Sequence, residues 1–159
     1  MQCQPDRFSR LTTIIRLVER LKATREMTFT ASPGPDSSSD WAGQGRGSVR
    51  VEDAYPSLRF YEQGHFVHAS GRKLSFSNVY RFAIEEDRID LYHERRGVED
   101  AVFLFPLIVT DNNRLASLSP HLCVRDHYSG ELVMDHTGFD LIWTVEGPRK
   151  QERIHYRYD

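Results

Sequence analysis

The chain has 159 residues, 39% of them hydrophobic and 28% charged, and its 21 basic and 23 acidic residues give a formal net charge of −2. This composition predicts one globular domain, residues 1–159, with a sizeable core. Neither nucleic acid nor a membrane is an expected partner, because the chain has no basic surplus and its longest apolar run, Ala101–Phe105, is far shorter than the roughly 20 residues that cross a membrane.

The N-terminal segment Met1–Arg10 has polar and charged residues where a secretory signal has an apolar stretch. The two cysteines are Cys3 and Cys123. Because Cys3 lies in a terminus that is expected to fray, we do not expect a structural disulfide. The sequence therefore predicts a reduced, cytoplasmic protein.

A helical pattern follows, in which apolar residues recur at intervals of three and four. These residues are Phe8, Leu11, Ile14, Ile15, Val18 and Leu21. The pattern predicts a helix over about residues 8–22, with Asp6 or Ser9 as its N-cap. A single helix beside many strands suggests a plug or a strap on a sheet.

Past a short predicted strand, Met27–Ala31, the segment Ser32–Asp40 is rich in Pro, Gly and Ser, which predicts a mobile loop. From Trp41 onward the pattern is that of β-strands. The candidate strands are Gly45–Asp53, Leu58–Gln63, His65–Ala69, Asn78–Glu85, Arg88–His93, Ala101–Thr110, Leu122–Tyr128, Leu132–Asp135, Phe139–Glu146 and Gln151–Tyr158. The turn signals between them include Tyr55-Pro56, Gln63-Gly64, Ser70-Gly71, Glu86-Asp87, Asn112-Asn113, Ser129-Gly130 and Gly147-Pro148.

About ten short strands with tight turns predict a mainly β fold, an antiparallel barrel over about residues 41–159 with the N-terminal helix added. A sandwich is the second choice. Strand Ala101–Thr110 is apolar on both sides, so the helix is expected to pack over it. The glycines Gly43, Gly45 and Gly47 precede a strand rather than a helix, which favours a sharp bend in a barrel strand over a phosphate-binding loop.

The densest polar cluster lies between His121 and Tyr128. On one uninterrupted strand, His121, Cys123, Arg125 and His127 would share a face, which is either exposed or the lining of a cavity. The His and Cys residue types suit zinc, but the spacings typical of a zinc site are absent from the sequence. The turn at Arg149 and Lys150 presents two cations, which could meet an anionic ligand if the turn lies at the barrel mouth.

Several motifs resemble those of DUF6314, a family of uncharacterised domains. They are Trp41-Ala42-Gly43-Gln44-Gly45, Tyr61-Glu62-x-Gly64, Tyr80-Arg81-Phe82, His121-x-Cys123-x-x-Asp126-x-Tyr128 and Trp143-x-Val145-x-Gly147-Pro148-Arg149-Lys150, with Tyr156 and Tyr158. The resemblance implies a small domain of unknown function with a calycin-like barrel, similar to lipocalins, fatty-acid-binding proteins and nitrobindins. The family pairs His-x-Cys with Asp-x-Tyr. We expect a bulge near Arg125 to bring the His-x-Cys and Asp-x-Tyr side chains to one side of the strand. Without such a bulge, the two motifs would serve separate roles, one structural and one lining a pocket.

The favoured interpretation is a binding module for an apolar or aromatic small molecule with an anionic end, which Arg81 would clamp. The candidate ligand-binding residues are Tyr61, Tyr80, Arg81, His121, Arg125, Asp126, Tyr128, Trp143 and Lys150. The cofactor is left open, with haem on His121 or His127 as a special case.

Two alternatives stay open. One is an enzyme with His121 or His127 as base, Asp126 as its orienting acid, and Tyr80 or Tyr128 as donor. The other is a protein-interaction domain with a filled interior, and the sequence also allows a homodimer.

Overall fold

The computed structural model describes residues 5–35, 37, 41–95, 97–117, 121–123 and 126–159, with residues 121–123 described by their backbone alone. The first element is α1 (Arg7–Ala23), which confirms the predicted helix. Its N-cap is Asp6, whose carboxylate accepts a hydrogen bond from the backbone N–H of Ser9 at 2.7 Å. None of the described residues forms a helix that is long and apolar enough to cross a membrane.

The buried face of α1 is narrower than the predicted apolar stripe. Ile14 and Leu21 are buried as expected, together with Leu17, but Phe8 and Ile15 are 79% and 57% exposed. The reason is that α1 lies across one end of the barrel, where its neighbours are turns rather than a broad sheet surface. Polar contacts hold it there: the guanidinium group of Arg16 donates to the carbonyl oxygen of Asn112 at 2.9 Å, and that of Arg20 to the carbonyl oxygen of Asp135 at 2.7 Å.

Eleven strands follow in the described part of the chain. They are β1 (Glu26–Pro33), β2 (Gly43–Ala54), β3 (Ser57–His68), β4 (Lys73–Ile84), β5 (Arg88–His93), β6 (Val102–Asp111), β7 (Arg114–Ala116), β8 (His121–Cys123), β9 (Asp126–Met134), β10 (Phe139–Glu146) and β11 (Gln151–Tyr158). A short 3-10 turn, Val98–Asp100, precedes β6. Ser32 and Pro33 of the predicted mobile loop belong to β1, while residues 36 and 38–40 lie outside the described residues.

Ten of these strands form a closed antiparallel ring, which confirms the predicted barrel with its N-terminal helix. The ring runs in the order β10, β11, β1, β2, β3, β4, β5, β6, β7, β9, and pairing of β9 with β10 closes it. The short β8 pairs with the first residues of β9. The first and last strands are neighbours, because Met27 of β1 lies opposite Tyr158 of β11.

Two predicted turns are wrong, since Gly64 lies inside β3 and Gly130 inside β9. A Cβ atom at Gly64 would collide with the carbonyl oxygen of Arg46 on β2, and one at Gly130 would collide with the ring of Phe105. Both glycines therefore serve a close approach between strands rather than a change of direction. The same holds for Gly45 in β2, where a Cβ atom would occupy the space of the Phe29 ring.

The half of the barrel nearest α1 is packed solid. Its buried side chains come from most of the strands and from the helix: Leu17, Leu21, Met27, Leu58, Phe60, Phe82, Ile89, Leu91, Leu107, Phe139 and Tyr158. Phe60 contacts Phe82 with ring centroids 4.8 Å apart, and Phe139 stacks on Tyr158 at 4.9 Å. The helix thus plugs a filled end, and any space for a ligand must lie in the other half.

Strand β6 is the strand that α1 contacts most, as expected, but a β-bulge also contributes to its being apolar on both sides. Leu91 of β5 lies opposite Phe105, but the next residue, Tyr92, lies opposite Phe103, so Leu104 is the extra residue of a β-bulge. Leu104 and Phe105 are therefore both buried, although they are consecutive. The helix meets β6 at its C-terminal end, where the hydroxyl of Thr13 lies 3.5 Å from the carbonyl oxygen of Asp111.

Candidate functional site

A cavity of about 410 Å³ occupies the half of the barrel away from α1. Its wall is largely aromatic, with a few polar side chains between the rings. The lining residues are Phe29, Ala31, Ser32, Trp41, Phe66, Leu74, Ser75, Phe76, Asn78, Tyr80, His93, Arg95, Trp143, Glu152, Ile154 and Tyr156. The cavity begins above the packed half and reaches the barrel mouth, where the β1–β2, β3–β4 and β10–β11 connections lie.

Two tyrosine hydroxyl groups meet at the inner end of the cavity. The oxygen of Tyr80 on β4 lies 2.8 Å from the oxygen of Tyr156 on β11. Both side chains are buried, and burial raises the pKa of each phenol above its ordinary value. The pair is therefore neutral at physiological pH and offers hydrogen-bonding groups without charge.

A buried carboxyl group, Glu62 on β3, lies close to this pair. Its Oε2 atom accepts a hydrogen bond from the Tyr158 hydroxyl at 2.6 Å. Burial raises the pKa of Glu62 to about 8, against the opposing influence of Tyr158 and Asn78. The Oε1 atom of Glu62 has no hydrogen-bond partner among the described residues. The carboxyl group is consequently protonated at neutral pH.

His93, at the end of β5, forms the polar side of the cavity. Its ring lies against that of Tyr80, with centroids 4.9 Å apart, and its Nε2 atom lies 3.3 Å from Oδ1 of Asn78. Because the amide oxygen can only accept, this contact assigns the hydrogen to Nε2. Burial, and next the positive charge of Arg95, lower the pKa of His93, which favours the neutral ring.

Among the described residues that line the cavity at its mouth, one is basic and one is acidic. Arg95, just beyond β5, and Glu152, on β11, both contribute to its lining. Trp41 lies at the same opening, with its ring centroid 5.4 Å from that of Phe66, and it is half exposed. An anionic group entering the cavity would be attracted to the β5 side of the mouth and repelled from the β11 side.

The structure brings two of the predicted ligand-binding residues, Tyr80 and Trp143, into the cavity wall. Tyr128 lies behind Trp143, with ring centroids 6.2 Å apart. The indole N–H of Trp143 is buried and has no acceptor among the described residues. Lys150 is exposed in the β10–β11 turn, at the mouth end of the barrel but outside the cavity lining.

Two other predicted residues, Tyr61 and Arg81, lie on the outer surface of the barrel and do not line the cavity. The Tyr61 hydroxyl donates to Glu52 at 3.3 Å. Arg81 lies over the ring of Tyr92 and donates to the buried carboxylate of Glu94 at 2.9 Å. Burial acts to raise the pKa of Glu94, but its hydrogen bonds outweigh that effect and the pKa is lowered. Arg81 is thus already engaged in a surface ion pair.

The polar cluster between His121 and Tyr128 is a hairpin and not the single strand that we predicted. His121 lies opposite Tyr128, and Cys123 opposite Asp126, across an antiparallel pair. Cys123 and Asp126 therefore belong to two antiparallel strands, and the bulge expected near Arg125 falls outside the described residues. Arg125 and the side chain of His121 lie outside the described residues.

The remaining groups of the acid–base hypothesis are not brought together at the cavity. His127 is exposed, and Asp126 is half-buried at the start of β9, outside the cavity lining. A His–Asp hydrogen bond exists elsewhere, where Nε2 of His155 lies 2.9 Å from Oδ1 of Asp140, but this pair is on the outer surface. Among the described residues, no three His, Cys, Asp or Glu side chains form a group that could hold a metal ion.

Four residues of this region were not predicted from the sequence: Glu62, Asn78, His93 and Tyr156. Alternation within the strands carried a signal for all four of them. Glu62 shares its strand face with Leu58 and Phe60, so its parity places it inside the barrel. Tyr156 likewise shares a face with the buried Tyr158. His93 shares a face with the buried Ile89 and Leu91, and Asn78 shares one with Tyr80 and Phe82.

Comparison with known proteins identifies the family to which the chain belongs, and it gives no information on an activity. The model of a family of unknown function, DUF6314, matches residues 35–159. No curated protein and no solved structure matched the chain. The match includes all the strands that line the cavity except β1, and it excludes α1.

Proposed function

We infer that this chain, which belongs to the DUF6314 family, is a binding protein for a small aromatic or apolar molecule with an anionic end. The cavity in the open half of the barrel carries this proposal. The ligand would lie between the aromatic side chains, with its anionic end at the mouth. The cytoplasmic location expected from the sequence is part of the same proposal.

The size and chemistry of the cavity support a small organic ligand. Its volume of about 410 Å³ lies in the range of known ligand sites, and its wall combines aromatic rings with a few polar groups, as such sites do. An aromatic ligand can stack on rings such as Phe29, Phe66 and Trp143. The filled half beneath it provides a rigid floor, so the cavity needs little rearrangement before binding.

A first prediction tests whether ligands enter this cavity. Ala31→Trp places a large side chain in the cavity wall of β1, and we expect it to weaken binding of the aromatic anion 8-anilinonaphthalene-1-sulfonate by at least tenfold. Thr30→Trp is the matched control, because Thr30 is the preceding residue and is exposed on the outer surface. Fluorescence titration measures both affinities, and far-ultraviolet circular dichroism checks the fold. A folded Ala31→Trp variant that binds like the wild type would contradict the proposal.

A second prediction tests the anionic end. Arg95→Gln should lower the affinity for the anilinonaphthalene sulfonate by about threefold to tenfold, since one partly exposed charge contributes about that much. Binding of a neutral naphthalene ketone should be unchanged. Arg153→Gln removes the same charge from the outer surface of β11 and serves as the control. Equal losses for both variants would show that long-range charge alone acts, and the proposed position of the anionic end would be wrong.

A further inference from the structure

The tyrosine pair at the inner end of the cavity has more donor hydrogens than the protein uses. Each phenol carries one hydrogen, and only one of the two can lie between the oxygens of Tyr80 and Tyr156. Within the described chain, this bond is the only one that either hydroxyl makes. One phenolic hydrogen therefore has no acceptor among the described residues, although both tyrosines line the cavity.

We propose that this spare hydrogen binds an acceptor oxygen of the ligand, so that the inner end of the cavity recognises a carbonyl group. The inference rests on the proposed function and specifies the buried end of its ligand. An aromatic ketone, aldehyde or ester would enter with its carbonyl oxygen first and leave its anionic group at the mouth.

The neighbouring polar groups fit a carbonyl oxygen better than a donor. The hydroxyl of Tyr158 already donates to Glu62, and Nε2 of His93 already faces Asn78. Because burial raises the pKa of Glu62 to about 8, no negative charge lies beside the pair at neutral pH to repel the oxygen. The surrounding rings exclude water, and a hydrogen bond in such surroundings is stronger than one in water.

The test compares two neutral fluorescent probes that differ in one carbonyl group. They are 6-propionyl-2-(dimethylamino)naphthalene and its propyl analogue, which has no ketone. We expect the wild-type protein to bind the ketone about tenfold more tightly, the gain typical of one additional hydrogen bond. The emission of the bound ketone should lie at longer wavelength than its emission in a hydrocarbon solvent, because a hydrogen bond to the carbonyl oxygen shifts it.

The deciding variant replaces both tyrosines by phenylalanine. In Tyr80→Phe/Tyr156→Phe the ketone should lose its advantage and its emission shift, while the propyl probe binds as before. In either single variant the remaining hydroxyl keeps its hydrogen for the ligand, so we expect a loss of only about threefold. The double variant should be at least as stable as either single variant, because it leaves no buried hydroxyl without a partner.

The outcomes separate this inference from the function on which it rests. A double variant that still prefers the ketone would overturn the role of the tyrosine pair and leave the cavity as a ligand site. Failure of both probes to bind the wild-type protein would overturn the binding function itself. Tyr92→Phe, on the outer surface of β5, is the control for loss of a phenol and should change neither affinity.

Discussion

Replacing Glu62 with glutamine is expected to remove a large loss of stability that the wild-type barrel suffers as the pH rises. The pKa of this buried carboxyl group is raised from 4.5 to about 8. In the folded protein the group therefore keeps its proton over a range in which the unfolded chain releases it. Glutamine has nearly the same shape and stays neutral, so the variant has no carboxyl group to ionise inside the barrel.

Proton linkage determines whether the free energy of unfolding rises or falls with pH. Between pH 4.5 and pH 8 the folded state binds more protons at this position than the unfolded state, so the free energy of unfolding falls as the pH rises. The contribution is fully present below about pH 4.5 and is lost once the pH passes about 8. At 1.36 kcal/mol for each pH unit, the loss is on the order of 5 kcal/mol.

The measurement is urea unfolding of the wild type and of Glu62→Gln at pH 5 and pH 9. The difference between the two proteins should grow by several kcal/mol in favour of the variant, and other titrating groups cancel in this comparison. Glu19→Gln, on the exposed side of α1, makes the same chemical change and should shift stability by less than about 0.5 kcal/mol at either pH. A constant difference between wild type and Glu62→Gln would show that the carboxyl group is not protonated in the barrel.

The second large effect that we predict is a loss of stability when the buried face of the helix is truncated. Leu17 is fully buried against the closed end of the barrel, whereas Ile15, two residues earlier, is 57% exposed. Leu17→Ala should lower the free energy of unfolding by about 2–5 kcal/mol, because it deletes buried methyl groups and leaves a cavity between α1 and the ring. Ile15→Ala removes a side chain of similar size and should cost less than about 1 kcal/mol.

Thermal and urea unfolding of both variants measure this difference. Since α1 is the only described element that closes this end of the ring, the comparison also tests whether the helix is part of the cooperative unit. Equal and small losses for the two variants would mean that the barrel is stable without its helix. A separate, early unfolding step in Leu17→Ala would mean that the helix detaches before the strands separate.

The strands that could be predicted from the sequence are those with strict alternation and clear ends. The bounds of β5, β10 and β11 agree with the predicted ranges, as in Phe139–Glu146. Glycine was the main source of error. A turn glycine such as Gly71 and a close-approach glycine such as Gly64 look alike in a single sequence, because the colliding group of Gly64 belongs to another strand.

The candidate site was harder to predict, because its residues meet only when distant strands pair. Tyr80 and Tyr156 come together through the order of the whole ring, and nothing local in β4 or β11 records that order. The hairpin between Cys123 and Asp126 was missed for a different reason. The sequence between Cys123 and Asp126, Val124-Arg125, contains no Gly, Pro, Asn or Asp, the residues by which a turn is predicted.

The neighbouring position of the first and last strands governs when the ring can close during synthesis. Strand β1 pairs with β2 soon after both emerge from the ribosome, but its other edge must wait for β11, the last strand of the ring to be made. Until β11 has emerged, the nascent sheet has two free edges, which can pair with other chains. The unfinished sheet on the ribosome, and not the closed barrel, is therefore the form most exposed to aggregation.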